Sequence, residues 1–344
     1  MKARFSILSA VMIFAACSND KRQDGNSLLN NEKQELESIV PAKRKVNKMA
    51  IVGDSISTGI LSNTTLGVSP IVDFTFATGF DVNFGDGINL QLSLLEVLDP
   101  LGNSSSLYEK VIGLQNQYVV KPSSFFGGVD LEPQDGISHA SRLGLSSPSV
   151  LNLSKIGSGS ADVLDSIISN ENNLVDADYV VLEAGSNDFC NGTQNAEQLK
   201  TEFKENFTSA LDRIKSLPGK PIVLVNSIPN IPDILKITKS SNAVTYAGQS
   251  IQCEVFHNLF CPRLATPENE AESRVLLTDL NQIIQEAVAA TQLPNQIILD
   301  NSFEKIDFAI DDFSVDCFHP SLKGHKKISD LTFEKVKDYL ETVQ

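Results

Sequence analysis

Asp316-Cys317-Phe318-His319 sets a carboxylate three residues before an imidazole, and on a turn the carboxylate can reach Nδ1 of the ring. Such a pair makes a general base with a fixed tautomer. It suits a reaction in which a hydroxyl, a poor nucleophile at its free pKa, must lose its proton. The chain has only four histidines, which narrows the choice of base. His139 has no carboxylate at that spacing, His257 lies inside the Cys253–Cys261 stretch, and His325 follows Gly324 where the last helical run begins. His319 is the expected base, and Asp316 the group that orients it.

The matching hydroxyl is Ser55, in Gly53-Asp54-Ser55-Ile56-Ser57, directly after the apolar run Met49–Val52. A serine at a strand–helix junction projects its side chain beside a helix N-terminus, with its own N–H uncommitted. Alone, Gly-Asp-Ser is equally an ordinary turn and N-cap. Acyl transfer also needs donors aimed at a developing oxyanion. Asn187, in Gly185-Ser186-Asn187-Asp188, offers an amide that cannot ionise, although Asn-Asp is also a common turn. Gly157 and Gly159, in the segment after Asn152, compete as the position where a backbone N–H approaches substrate with no side chain in the way.

These segments need a scaffold. Five apolar runs bounded by turn residues read as buried parallel strands: Met49–Val52, Val150–Leu153, Tyr179–Ala184, Ile222–Asn226 and Ile297–Leu299. Helical periodicity appears over Ala161–Ile168, Ala196–Leu217, Glu270–Thr291 and Leu322–Val343. The alternation predicts an α/β domain of three layers around a parallel sheet of about five strands. In such sheets sites gather at the carboxyl ends of the strands, where the candidate motifs fall. Leu61–Ser149 is longer than one crossover requires. It holds an internal echo: Phe76, Gly79, Asp81, Asp86, Gly87 and Ile88 recur 49 residues later as Phe125, Gly128, Asp130, Asp135, Gly136 and Ile137. Each copy is read as a loop whose Asp-Gly turn leads into a helix.

The chain carries 28 Lys and Arg against 43 Asp and Glu, a net charge of −15. Phosphate backbones and anionic membrane surfaces repel such a protein, so nucleic acid is not an expected partner. Residues 1–16 join a basic start (Lys2, Arg4) to a short apolar run ending in Ala15-Ala16 before Cys17, which reads as a secretory signal too short to span a bilayer. It resembles a bacterial lipoprotein signal, with Phe14 where Leu is usual. That resemblance implies lipidation of Cys17, a membrane anchor and, from Ser18, placement at the outer membrane or cell surface. Residues 17–47 read as a flexible polar tether carrying a basic knot, Lys43–Lys45, and residues 48–344 as one catalytic domain, with 61–149 as a long insertion.

Taken together, Gly53-Asp54-Ser55, Gly157, Gly185-x-Asn187-Asp188 and Asp316-x-x-His319 resemble the SGNH (GDSL) hydrolase family, from about residue 48 to the C-terminus. The resemblance implies a flavodoxin-like sheet and metal-free, cofactor-free ester hydrolysis by Ser55, His319 and Asp316. The oxyanion would be held by the N–H groups of Ser55 and Gly157 and the amide of Asn187. The segment from Asn152 to Asp162 with Gly157, together with Asn187-Asp188-Phe189-Cys190 and Asp316-Cys317-Phe318-His319, is most similar to the phospholipase B-like branch, while the family's GDSL signature reads Gly-Asp-Ser-Ile here, with Ile56 in place of Leu. The other α/β hydrolase type is disfavoured, since no Gly-x-Ser-x-Gly elbow occurs.

Beyond Cys17, four cysteines remain, and in an exported protein an even number predicts two disulfides. If the motifs of Asn187 and His319 converge on Ser55, Cys190 and Cys317 come together, leaving Cys253 with Cys261. The expected activity is that of an esterase, lipase or lysophospholipase, with a carbohydrate acetylesterase as the alternative. From another class, a non-catalytic surface-binding lipoprotein could keep the fold without the chemistry.

Overall fold

The runs expected to be strands carry aliphatic residues without polar alternation, and such segments are stable only where both faces are covered. The computed structural model, which describes residues 43–59, 80–83, 89–92, 126–127, 138–239, 241–246, 249–264, 269–293, 296–314 and 316–342, shows them covered in this way. The strands are β1 (Met49–Val52), β2 (Val150–Asn152), β3 (Tyr179–Leu182), β4 (Ile222–Asn226) and β5 (Ile297–Asp300). They form one parallel sheet in the order β2-β1-β3-β4-β5, with Met49 beside both Val150 and Tyr179, Tyr179 beside Ile222, and Val223 beside Ile297. This is the doubly wound order in which the crevice opens beside β1 and β3, at the strand ends where the order reverses.

Alternate residues of the strands feed two cores. Ala50, Val52, Val180, Leu182, Val223 and Val225 pack with three helices on one face: α2 (Ser160–Ser169), α4 (Ala196–Lys215) and α6 (Glu270–Ala290). On the other, Met49, Ile51, Tyr179, Val181 and Leu224 pack with Ile328, Phe333 and Val336 of α7 (Leu322–Val336). The buried positions of α4, Leu199, Phe203, Phe207, Ala210, Leu211 and Ile214, fall three or four apart as an amphipathic helix requires. Three short helices, α1 (Ser55–Thr58), α3 (Ser186–Cys190) and α5 (Cys253–Phe260), stand near the site. Among the described residues no helix is long and apolar enough to cross a membrane.

The structure departs from the sequence expectation in three places. First, α7 stops at Val336 rather than Val343, because the chain then turns to run beside residue 44. Arg44 and Leu340 form a parallel bridge, and the Glu341 amide donates to the Arg44 carbonyl at 2.9 Å. The Arg44 guanidinium also donates to the carbonyls of Gly219 and Lys220, and Val46 is buried. Residues 43–47, expected in the tether, are thus docked on the domain. The signal, Cys17 and the tether before residue 43 lie outside the described residues.

Second, two hairpins (Phe80–Asn83 with Asn89–Leu92, and Asn242–Tyr246 with Gln249–Gln252) and the helices Ile231–Thr238 and α5 were not foreseen. Third, a strand rather than the expected helix follows the first copy of the echo. Asp86-Gly87 is flanked by antiparallel strands, whereas the second copy is followed by a short helix, His139–Arg142, capped by Ser138. Asp81 lies in the first hairpin, and the other echo residues and most of 61–149 lie outside the described residues.

Candidate active site

Ser55 opens α1 one residue beyond the turn that ends β1. Asp54 is the N-cap, its Oδ1 accepting from the Ile56 amide at 2.8 Å, so the one-turn helix starts at the serine. The turn is tight. A Cβ on Gly53 would lie 2.7 Å from Ser57 Oγ and 3.3 Å from Glu183 Cβ, so any larger residue must displace Ser57.

The loop bearing Asp316 and His319 is closed on itself. Phe313 and Pro320 form an antiparallel bridge, and the Ser314 amide donates to the His319 carbonyl at 2.8 Å. Inside it Asp316 Oδ1 accepts from Ser314 Oγ at 2.5 Å and from the amides of Phe318 and His319, each at 3.0 Å. Its other oxygen faces His319 Nδ1 at 2.6 Å, and His319 Nε2 lies 2.8 Å from Ser55 Oγ. The three side chains form one continuous chain, with Ser55 6 % and His319 3 % exposed. Burial alone would raise the Asp316 pKa, but the facing His319 ring and the donors around Oδ1 outweigh it and hold the carboxyl below its ordinary value.

The other histidines serve the scaffold. His139 is fully buried with its ring nitrogens 2.8 Å from Tyr179 Oη and 2.8 Å from Thr332 Oγ1, joining β3 to α7. His257 Nε2 lies 2.8 Å from Thr238 Oγ1. Burial lowers the His325 pKa to about 3, so that ring stays neutral.

Two loops bring up the candidate oxyanion donors. The Lys155 amide donates to the Gly53 carbonyl and the Glu183 amide to the Val52 carbonyl, so the loops after β2 and β3 flank the Ser55 turn. Gly157 has φ +74°, a left-handed conformation that favours glycine. Its competitor Gly159 is the N-cap of α2, and its amide is taken by Asp162 Oδ2 at 3.0 Å. One hydrogen of the Asn187 amide donates to the Ser158 carbonyl at 3.0 Å, which orients the group and leaves its second N–H uncommitted by that bond. Asp188 clamps the same loop, accepting from the Ser160 amide and hydroxyl at 2.8 and 2.6 Å. Sequence reasoning carried Asp188 only as part of its motif, with no role of its own, and missed Ser314. The one signal for Ser314 was its place two residues before Asp316.

The expected disulfides, Cys190–Cys317 and Cys253–Cys261, are corrected. The bridges are Cys190–Cys261 and Cys253–Cys317, with Cα atoms 4.3 and 5.5 Å apart. Cys253 begins α5 and Cys261 follows its last residue. Eight residues at 1.5 Å rise separate them by about 12 Å, beyond the roughly 7 Å that a disulfide can span. Each cysteine therefore bonds outward, and α5 stands between the loops of Asn187 and His319.

Behind Ser55 sit two further carboxyls, Asp54 and Glu183, both buried. Burial, opposed in part by the Ile56 amide, raises the Asp54 pKa to about 6. Burial, with the neighbouring Asp54 adding to it, drives Glu183 well above its ordinary value, against a smaller opposing effect from its Ser57 hydroxyl partner. A raised folded-state pKa contributes stability that is complete below the unfolded value, near 4.5 for Glu183, and is lost as pH rises through the folded value. Glu183→Gln, which stays neutral in both states, is therefore expected to gain on the wild type by a few degrees of melting temperature between pH 4.5 and pH 8. Melting curves at the two pH values read this directly, and a constant difference would mean that Glu183 ionises alike in both states.

A sequence model described as GDSL-like lipase/acylhydrolase matches residues 49–332. No curated protein sequence matches the chain. Among solved structures, a lipase/acylhydrolase from Enterococcus faecalis aligns at 17% identity and a TM-score of 0.40, covering 87% of this chain and 99% of its own. A lipase from a goat rumen metagenome aligns at 11% and 0.40, covering 86% and 98%. An alpha/beta hydrolase enzyme from the metagenome of Lake Arreo, Spain, aligns at 13% and 0.42, covering 86% and 97%.

Proposed function

Since the chain belongs to the GDSL-like lipase/acylhydrolase family and is an ester-hydrolysing enzyme, we propose that it works through a Ser55–His319–Asp316 triad. The observation that carries this reading is the unbroken chain from Ser55 Oγ to His319 Nε2 at 2.8 Å and from His319 Nδ1 to Asp316 Oδ2 at 2.6 Å. Asp316 accepts from Nδ1–H and so leaves Nε2 as the base. Nε2 takes the Ser55 proton as Oγ attacks the ester carbonyl. The tetrahedral oxyanion is met by the N–H groups of Ser55 and Gly157 and the amide of Asn187. His319 returns the proton to the departing alcohol, then activates the water that frees the acid.

For the substrate, the resemblance to the phospholipase B-like branch favours a lipid or lysophospholipid ester over an acetylated carbohydrate. The N-terminal pattern supports export and lipidation at Cys17, which would anchor the enzyme at the outer membrane or cell surface. A binding lipoprotein without chemistry is the rival from another class, and the complete set of site residues weighs against it.

A fluorophosphonate separates the two. Ser55 Oγ would attack phosphorus and expel fluoride, leaving a stable adduct on the Ser55 peptide, while short-chain nitrophenyl esters are turned over. An enzyme that neither labels at Ser55 nor hydrolyses these esters would overturn the triad. Activity on acetylated xylan with none on nitrophenyl esters or lysophospholipid would reverse the order of substrates.

A further inference from the structure

Helix α5 is fastened at both ends, Cys253 to Cys317 in the His319 loop and Cys261 to Cys190 beyond Asn187. Between these bonds Phe256 and Phe260 stand one turn apart, with ring centroids 6.2 Å apart and the rings stacked. Phe260 lies 5.6 Å from Phe318, and both meet the His319 ring edge-on, at 5.3 and 5.2 Å. All three phenylalanines are only partly buried, whereas His319 is almost wholly enclosed. Contiguous, partly exposed aromatic surface beside a reactive group marks a place where apolar matter docks.

The geometry points to Phe260 and Phe318, backed by Phe256, as an apolar wall for the alcohol portion of the ester, a reading that rests on the triad proposed above. The reason is positional. His319 must hand its proton to the leaving alkoxide oxygen, so that oxygen lies against Nε2 and the group it carries runs past the rings packed on His319. The acyl group, held by its carbonyl oxygen among the Ser55, Gly157 and Asn187 donors, extends from the other side of the carbonyl carbon. The wall accordingly selects esters of longer alkyl or aryl alcohols over esters of methanol or ethanol.

Two ester series test this. Acetates of methanol, butanol and benzyl alcohol share one acetyl-enzyme, so the alcohol enters only the acylation step and its effect appears in kcat/KM. Nitrophenyl esters of acetate, butyrate and octanoate vary the acyl group alone. Phe260→Ala is expected to lower the benzyl-to-methyl kcat/KM ratio about tenfold, the order of a lost apolar contact in a pocket, and to leave the octanoate-to-acetate ratio within twofold. Phe260→Leu is expected to fall between. The rate of fluorophosphonate labelling reports whether each variant keeps a folded site. An equal fall across both series would mean that the rings only prop His319, and a change confined to the acyl series would put the wall on the other side; either overturns the proposal. A wild type that labels at Ser55 but shows no preference between methyl and benzyl acetate would sink the wall while leaving the triad standing.

Discussion

Ser55→Ala is expected to reduce kcat/KM on a nitrophenyl ester by about four orders of magnitude or more, a loss of roughly 5.5 kcal/mol or more in transition-state stabilisation. The substitution removes the atom that would bond to the acyl carbon and leaves everything around it. The amide of residue 55, Gly157 and the Asn187 side chain stay in place, so a residual rate above that of water is expected from binding and oxyanion contacts. Asp54 still caps α1 through the Ile56 amide, so the turn itself has no reason to open. Single-turnover hydrolysis, with circular dichroism to show that the fold is kept, makes the measurement. Equal rates for variant and wild type would refute Ser55 as nucleophile.

Asp316→Asn is expected to cost about 10³- to 10⁴-fold in kcat while leaving the loop intact, by the logic of a wrong tautomer. The isosteric amide keeps an oxygen where Asp316 Oδ1 accepts from Ser314 and from the amides of Phe318 and His319. On the other branch an N–H₂ replaces the oxygen facing His319 Nδ1. It donates to Nδ1, and the ring then presents Nε2–H to Ser55 instead of a lone pair. Stability should shift with pH in a defined direction. The Asp316 pKa is held below its usual 3.8, so its stabilisation is present above that value and is lost as pH falls through the lower folded value. The gap in melting temperature between wild type and variant should therefore shrink below about pH 4. Full activity in Asp316→Asn would remove Asp316 from the mechanism, and a gap that does not move with acid would show its carboxyl to be unperturbed.

The two substitutions differ in what they leave behind, because Ser55 and Asp316 reached their places by different routes. Ser55 is placed locally, by the end of β1, the Gly53 turn and the Asp54 cap. Asp316 is placed by a loop closed through Phe313–Pro320 and fastened to α5 by the Cys253–Cys317 bridge. Removing that bridge would loosen the loop without touching the serine.

The amino-acid sequence by itself determined the five central strands, since aliphatic runs buried on both faces leave few other arrangements, and it set the order of the motifs at their carboxyl ends. It also narrowed the base, because so few histidines compete. Tertiary structure decided the rest. The residues alone left Gly157 and Gly159 as rivals; in the fold α2 begins on Gly159 and Asp162 takes its amide, which supports Gly157 as the proposed donor. The disulfides could not be paired until Cys253–Phe260 proved to be a helix, which holds Cys253 and Cys261 too far apart to bond and turns them toward Cys317 and Cys190. The tether could not be seen to dock at Arg44 before α7 was seen to end early. Hydrophobic periodicity reports which face of a segment is buried. Amide partners, cysteine pairing and the rings set against His319 depend on contacts between segments far apart in sequence, and those exist only once the sheet has brought its loops to one end.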